Sequence, residues 1–158
     1  MSNETSSPLA ARLAISPQSR ALGLELVATE PDVVLKVPYR PDLVGEPDTG
    51  VIAGGVVTTL LDLACGWGVA LALAEPTSIA TLDLRIDYMR PAEPGRDLLA
   101  TAHCYKLTRS VAFVRAVAYD ADPEDPVAAA QAAFMLDSNA GRGPGANLAP
   151  RGPGRSLP

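Results

Sequence analysis

The stretch Gly50-Val-Ile-Ala-Gly-Gly-Val-Val-Thr-Thr-Leu-Leu-Asp-Leu-Ala-Cys-Gly-Trp-Gly-Val-Ala-Leu-Ala-Leu-Ala74 is the longest apolar run in the chain. Between Asp48 and Glu75 it carries one charge, Asp62. Apolar side chains fall on nearly every face of the helix such a run would form. The helix is therefore expected to be buried all round rather than amphipathic. A carboxylate there is costly unless it is hydrogen-bonded. Thr58, one turn away, and Thr59 are the nearby side chains that could supply the bond. Gly54 and Gly55 fall at the expected N-terminus, where backbone N–H groups have no helical partner. Without side chains they let a ligand approach the backbone closely. One stretch thus offers free amides and one acid.

The rest of the chain is read around that helix. Its 158 residues suit one domain, and 47% hydrophobic content is enough for a real core. A net charge of −5 with no basic cluster argues against nucleic-acid binding. Cys65 and Cys104 lie far apart in apolar segments and read as buried free thiols of a cytoplasmic protein, neither a disulfide framework nor a metal pair. The polar start Met1–Ser7 lacks the basic and apolar regions of a signal peptide. The central run is long enough to span a bilayer. It holds Thr58, Thr59 and Asp62, however, and no Lys or Arg flanks it to set an orientation, so no membrane span is expected.

In chain order, Pro8–Ile15 suggests a short helical turn, and Ser16-Pro17 is a helix-start signal. Ala21–Thr29 and Val33–Pro38 read as two strands, and Tyr39–Asp48 as a loop. The helix follows, about Gly54–Ala74. Ile79–Met89 alternates strictly, with Leu82, Leu84, Ile86 and Tyr88 on one face and Thr81, Asp83, Arg85 and Asp87 on the other. Asp97–Leu107 and Ser110–Tyr119 read as further strands; the alanine-rich Val127–Leu136 alone would read as helix, and after three hairpin-spaced strands it is expected as a fourth. The order β-β-α-β-β-β-β gives an α+β fold, about six antiparallel strands wrapped on one long helix. Residues 1–20 form an N-terminal segment, 21–137 the domain, and 138–158 a Gly/Pro/Arg-rich tail expected to be disordered. The last strands are apolar on both faces in places, which suggests a partner subunit.

Three blocks carry a resemblance: Gly50 to Gly66 with its Gly54-Gly55 pair and Asp62; Ala80-Thr-Leu-Asp-Leu-Arg-Ile-Asp-Tyr-Met-Arg-Pro-Ala92; and Thr108-Arg-Ser-Val-Ala-Phe-Val-Arg-Ala116. In order and spacing they resemble the hotdog-fold acyl-CoA thioesterases of the phenylacetate-degradation (PaaI-like) type, over about Ala21–Leu136. The resemblance implies a curled sheet around a central helix, subunits paired through their sheets as homodimers or as tetrameric dimers of dimers, and hydrolysis of acyl-CoA. The family usually reads His-Gly-Gly with an acid nine residues after the His. Here the glycines and Asp62 keep the pattern and Ala53 replaces the His. An Asn common near Pro47 is also missing, and a Ser or Thr that supports the attacking water corresponds to Thr81.

Thioester hydrolysis needs a carboxylate, a donor for the carbonyl oxygen and an acyl slot. The expected catalytic set is Asp62, as general base or nucleophile, the Gly54 and Gly55 amides as oxyanion hole, and Thr81. Ala53, Thr58, Arg90 and Arg109 form the expected substrate-binding set, the arginines toward coenzyme A phosphates. No metal or cofactor is implied. Gly54 and Asp62 are eight residues apart, about 12 Å along one helix, too far to serve one carbonyl. The site therefore requires two subunits. Medium-chain or aromatic acyl-CoA is the expected substrate class. The alternative is a non-catalytic acyl-ligand binding protein that lost turnover with the motif His. The lone His103 reads as structural, and a Cys65–His103 nucleophile pair is conceivable.

Overall fold

The computed structural model describes residues 16–137. The turn expected at Pro8–Ile15 and the tail 138–158 lie outside them. Helix α1 (Pro17–Leu22) starts as the Ser-Pro signal predicts: Ser16 Oγ accepts from the Ser19 amide at 3.4 Å and Pro17 fills the first position. Gly23 ends it in the left-handed region at φ +64°, a geometry glycine adopts without strain. The helix takes the front of the run expected as a strand from Ala21, leaving β1 at Glu25–Ala28, followed by β2 (Val33–Val37).

The stretch expected to be a plain loop is more ordered than its Pro and Gly content suggests. It contains a 3-10 turn (Pro41–Leu43) and one strand of a small hairpin, β3 (Val44–Glu46) with β4 (Val51–Ile52). Gly45 makes this possible. A Cβ there would stand 2.8 Å from the Ala53 Cα, so only glycine lets the hairpin press on the start of the long helix. The Ala53 amide then donates to Leu43 O at 2.9 Å, tying the two together.

Helix α2 (Gly54–Ala72) packs against β2 and against β5 (Ile79–Tyr88), β6 (Leu98–Leu107), β7 (Val111–Tyr119) and β8 (Ala128–Leu136). The six-stranded antiparallel sheet runs β1-β2-β6-β7-β8-β5, which leaves β5 an edge strand. Among the described residues α2 is the one helix long and apolar enough to cross a bilayer. Its buried side chains instead form the core with the sheet.

The expectation of a helix buried all round is corrected. Val56, Val57, Leu60, Leu61, Ala64, Cys65, Gly68 and Val69 are buried, a stripe of helical period. Thr58, Thr59, Asp62, Leu63, Gly66 and Trp67 are half-buried and Ala70 is exposed, so the opposite stripe is open in the single chain. The hydrophobicity of the run disguised two faces because the open one is itself partly apolar. The helix-facing side of the sheet includes many small residues: Ala112, Ala116, Ala118, Ala128, Ala130 and Ala132 are all buried, beside larger ones such as Leu35, Leu98, Val114 and Phe134. The other side stays partly apolar, with Phe113, Val117, Ala129 and Ala133 half-buried and Tyr105 and Met135 exposed.

The strict alternation read in β5 is also corrected. Its register against β8 shifts between Thr81 and Asp83, so Leu82 is an extra residue and is 57% exposed. A bulge of this kind re-aims neighbouring side chains. Thr81 thereby joins Leu84, Ile86 and Tyr88 on the helix side instead of facing away from them.

Candidate active site

Asp62 lies on the open stripe of α2, half-buried. Its Oδ1 accepts from Thr81 Oγ1 at 3.0 Å. Neither helical threonine reaches it: Thr58 Oγ1 donates to Gly54 O at 3.1 Å and Thr59 Oγ1 to Gly55 O at 2.9 Å. The bond that orients the carboxylate comes from another element, across the β5 bulge. The second carboxylate oxygen carries no bond among the described residues, so it is available to a water.

An apolar slot of about 340 Å³ opens beside Asp62, lined by Leu63, Gly66, Trp67, Ile79 and Phe134 among others. A Cβ at Gly66 would meet Phe134 and Ile79 at 3.7 and 3.8 Å, so the missing side chain keeps the slot open one turn below the carboxylate. A larger depression of about 460 Å³, among Arg85, Arg115 and Gln131, lies on the sheet face turned away from the helix and holds none of these groups.

At the other end of the open stripe, Gly54 and Gly55 are exposed and begin the helix. Ala53 is the N-cap and makes no side-chain cap bond. Space around the amides is free, since a Cβ at Gly55 would touch nothing within 4 Å. The first-turn N–H groups and the helix dipole both favour negative charge here. An opening of about 360 Å³ between Gly54, Val57, Tyr88 and Pro91 adjoins them. Tyr88 is a residue that sequence reasoning counts only as part of an apolar face. Its hydroxyl lies 2.6 Å from Thr58 Oγ1 and donates to Gly54 O at 3.0 Å. The pattern signals only its aromatic ring; the hydroxyl's partners come from the fold.

Thr58, expected to face substrate, is therefore bonded to Gly54 O and Tyr88. Arg90 is likewise engaged within the chain. Its guanidinium forks onto Asp120 at 2.7 and 2.8 Å, donates to Asp125 O at 2.7 Å and pairs with the Asp125 carboxylate at 3.2 Å. That geometry is a staple between turns and leaves little for a phosphate. The Arg90 bonds hold the Asp120 carboxyl well below the usual carboxylate range, against the opposing effect of burial and with help from the Glu93 amide. Arg109 is exposed in the β6–β7 turn, and no carboxylate among the described residues pairs with it.

Cys65 is buried in the core, and burial first, then the Asp62 carboxylate, push its thiol up to about 12. It is protonated at neutral pH and unsuited to nucleophilic attack. His103 sits on the outer sheet face, bonded through Nδ1 to Asp32 at 2.6 Å. Its strand neighbour Ala102 points to the helix, so His103 faces away from Cys65 and the two do not form a pair. Among the described residues no group of three or more metal-type side chains comes together.

Residues 49–127 match the family model described as the thioesterase superfamily. The chain belongs to the thioesterase superfamily. A medium/long-chain acyl-CoA thioesterase, YigI of Salmonella typhimurium, is 32% identical over 134 residues, covering 76% of this chain and 85% of that one. A crystal structure of a Pseudomonas aeruginosa protein superposes with a TM-score of 0.73 at 41% identity, covering 81% of this chain and 98% of that one. A mutant form of the phenylacetic acid degradation protein PaaI from Thermus thermophilus superposes with a TM-score of 0.65 at 25% identity, covering 76% and 98%. With a Halobacterium salinarum relative the match spans little more than half of that protein, 56%. The helix wrapped by an antiparallel sheet is the hotdog fold of this PaaI-like group, as the three sequence blocks implied, and the protein is a hydrolase of thioesters.

Proposed function

We propose that this thioesterase hydrolyses acyl-CoA, with medium-chain or aromatic acyl groups, at a site shared between two copies of the chain. Asp62 of one copy is the general base and the Gly54 and Gly55 amides of the other form the oxyanion hole. The observation that carries the reading is the Thr81–Asp62 bond beside the apolar slot. It fixes one carboxylate oxygen and leaves the other for water.

In the reaction the carboxylate takes a proton from water as the oxygen attacks the thioester carbonyl. The tetrahedral oxyanion is held by the amides, whose charge preference is preset. Collapse breaks the C–S bond, and the thiolate leaves and takes up a proton, giving a carboxylic acid and free coenzyme A thiol. Direct attack by Asp62, through a mixed anhydride, uses the same groups. The acyl chain lies in the slot over Gly66 and Trp67. Arg109, with no carboxylate partner among the described residues, is the cation available to a phosphate.

Two features support assembly from two copies. Asp62 and Gly54 stand about 12 Å apart on one rigid helix. In addition, among the described residues the ten-residue edge strand β5 pairs only with β8, and an edge of that length invites pairing with a second copy. A homodimer, or a tetramer of two such dimers, follows. The test is a panel of acyl-CoA thioesters monitored by free thiol release, with Asp62→Asn beside wild type. The variant should lose at least about 100-fold in kcat, the scale of a general base. Wild-type turnover in Asp62→Asn removes Asp62 from the mechanism. Tight acyl-CoA binding with no turnover in either protein replaces this reading with that of a non-catalytic binding protein.

A further inference from the structure

We infer that Tyr88 is a positioning residue that makes the Gly55 amide a better oxyanion donor, acting through the Gly54 carbonyl. The inference rests on the active-site reading above. The Gly54 carbonyl and the Gly55 N–H belong to one peptide group, whose resonance couples electron withdrawal at the oxygen to acidity at the nitrogen. Two side-chain hydroxyls converge on that oxygen: Tyr88 at 3.0 Å and Thr58 at 3.1 Å. They also lie 2.6 Å from each other. One hydroxyl proton can go to Gly54 O while the other links the pair, so the two form a short chain ending on the carbonyl. Hydrogen-bond chains polarise their members by roughly 10–30% per bond.

A threonine bonding back one turn is common in helices and needs no functional explanation. The tyrosine does. It arrives from the end of an edge strand, on a different element from the helix it bonds. Its ring lies 4.0 Å from where a Gly54 Cβ would stand. It therefore also shields the peptide group from one side. The position gains weight from Ala53, which caps the helix without any side-chain bond. The Ala53 amide ties the entrance to Leu43 O, but no cap side chain bonds the first-turn peptides themselves. Tyr88 restrains that turn from outside while leaving the Gly54 and Gly55 N–H groups unobstructed.

The test compares wild type, Tyr88→Phe and Gly55→Pro in the full chain. Tyr88→Phe keeps the ring and removes only the hydroxyl. Gly55→Pro removes the donor itself, at a helix position where proline is tolerated and a new Cβ meets nothing. Turnover of octanoyl-CoA is measured first. Affinity is then measured by calorimetry for two uncleavable analogues of octanoyl-CoA: a ketone with CH2 in place of sulfur, and a thioether lacking the carbonyl. Tyr88→Phe should lower kcat/KM about fivefold, the scale of one neutral hydrogen bond. It should weaken the ketone by a similar factor and leave the thioether unaffected. Unchanged kcat/KM, or equal weakening of both analogues, overturns the inference, since a merely structural tyrosine does not distinguish a carbonyl from a methylene. If Gly55→Pro loses the preference for the ketone and Tyr88→Phe keeps it, Tyr88 alone is excluded. If Gly55→Pro also keeps it, the Gly55 amide is not the donor: the inference falls, and the proposed oxyanion hole is left to the Gly54 amide alone. The analogues report even where turnover is too slow to follow. A Thr58→Val variant tests the same chain from its other end and should show the same selective loss for the ketone.

Discussion

Ala53 stands where the pattern of the resembled family reads His, and its surroundings say what a histidine there would meet. The Ala53 amide is tied to Leu43 O at 2.9 Å, and its Cα lies close against Gly45, so the backbone at the helix entrance is fixed without a side chain. In the proposed site the oxyanion donors are backbone groups and the dipole of α2 is intact, so that hole needs no histidine. We expect Ala53→His to raise kcat/KM for acyl-CoA, because an imidazole at the N-cap can hydrogen-bond the loop and steady the two amides. Equal or lower kcat/KM in a variant with an unchanged melting temperature would mean the entrance is built around alanine. Other residues are legible in the sequence to different degrees. Asp62 stands out because a lone charge in an apolar run demands a partner, but that partner is neither of the helical threonines. Thr81 reaches it only because Leu82 bulges out of β5, and no local pattern in Ala80–Asp83 announces a bulge. Tyr88 is hidden for the same reason: a hydroxyl's role depends on which carbonyl it meets across the fold.

At the scale of elements, β5 is legible from alternation, β6 and β7 from their apolar runs and turn residues, and the alanine-rich β8 only from its place after three hairpin-spaced strands; each observed strand differs from its expected limits by one residue. Two features are not legible. The β3–β4 hairpin is five residues of strand in all, too short for a period to register, and depends on the close pass of Gly45 against Ala53. The two-faced character of α2 is masked because the half-buried stripe carries Leu63, Gly66 and Trp67, so apolar residues fall on both faces. The turns around β5 and β7 are held by charge instead. Arg90 follows β5, Asp120 follows β7, and the Asp120 side chain is only 2% exposed. Asp120→Ala leaves the guanidinium with a half-filled fork, a loss of about 3 kcal/mol for a largely buried pair. Chemical denaturation should show it as a lower midpoint at unchanged slope. The pH dependence has a definite sign. The folded carboxyl sits below its unfolded value, so its contribution is full above the unfolded pKa of about 4 and is lost as pH falls below that toward the folded value. Arg90 stays protonated throughout and adds no slope. Wild type should therefore lose stability between about pH 5 and 2 more steeply than Asp120→Asn. Parallel curves would mean that another carboxylate governs acid unfolding.

At the scale of the whole molecule, the helix that organises the chain sets the proposed base apart from the proposed oxyanion donors. Asp62 and the glycine amides occupy one straight element, and no bending of nineteen helical residues brings them together. Complementation between two inactive variants tests the consequence. Asp62→Asn spoils the base and Gly55→Pro spoils the hole. In a mixed dimer, the site that joins Asp62 of the Gly55→Pro chain to the amides of the Asp62→Asn chain is intact, and the other site is doubly damaged. Random re-pairing of equal amounts after joint unfolding and refolding makes half the dimers mixed. About one quarter of wild-type kcat per site should then return, since a two-fold dimer has two equivalent sites. Each variant refolded alone should stay inactive. Simple mixing of folded variants should restore activity only as fast as subunits exchange, which separates true re-pairing from trace contamination. A site built within one chain predicts no recovery at any mixing ratio. A recovery that peaks at equal amounts and falls off symmetrically on either side is the signature of base and oxyanion hole contributed by different copies.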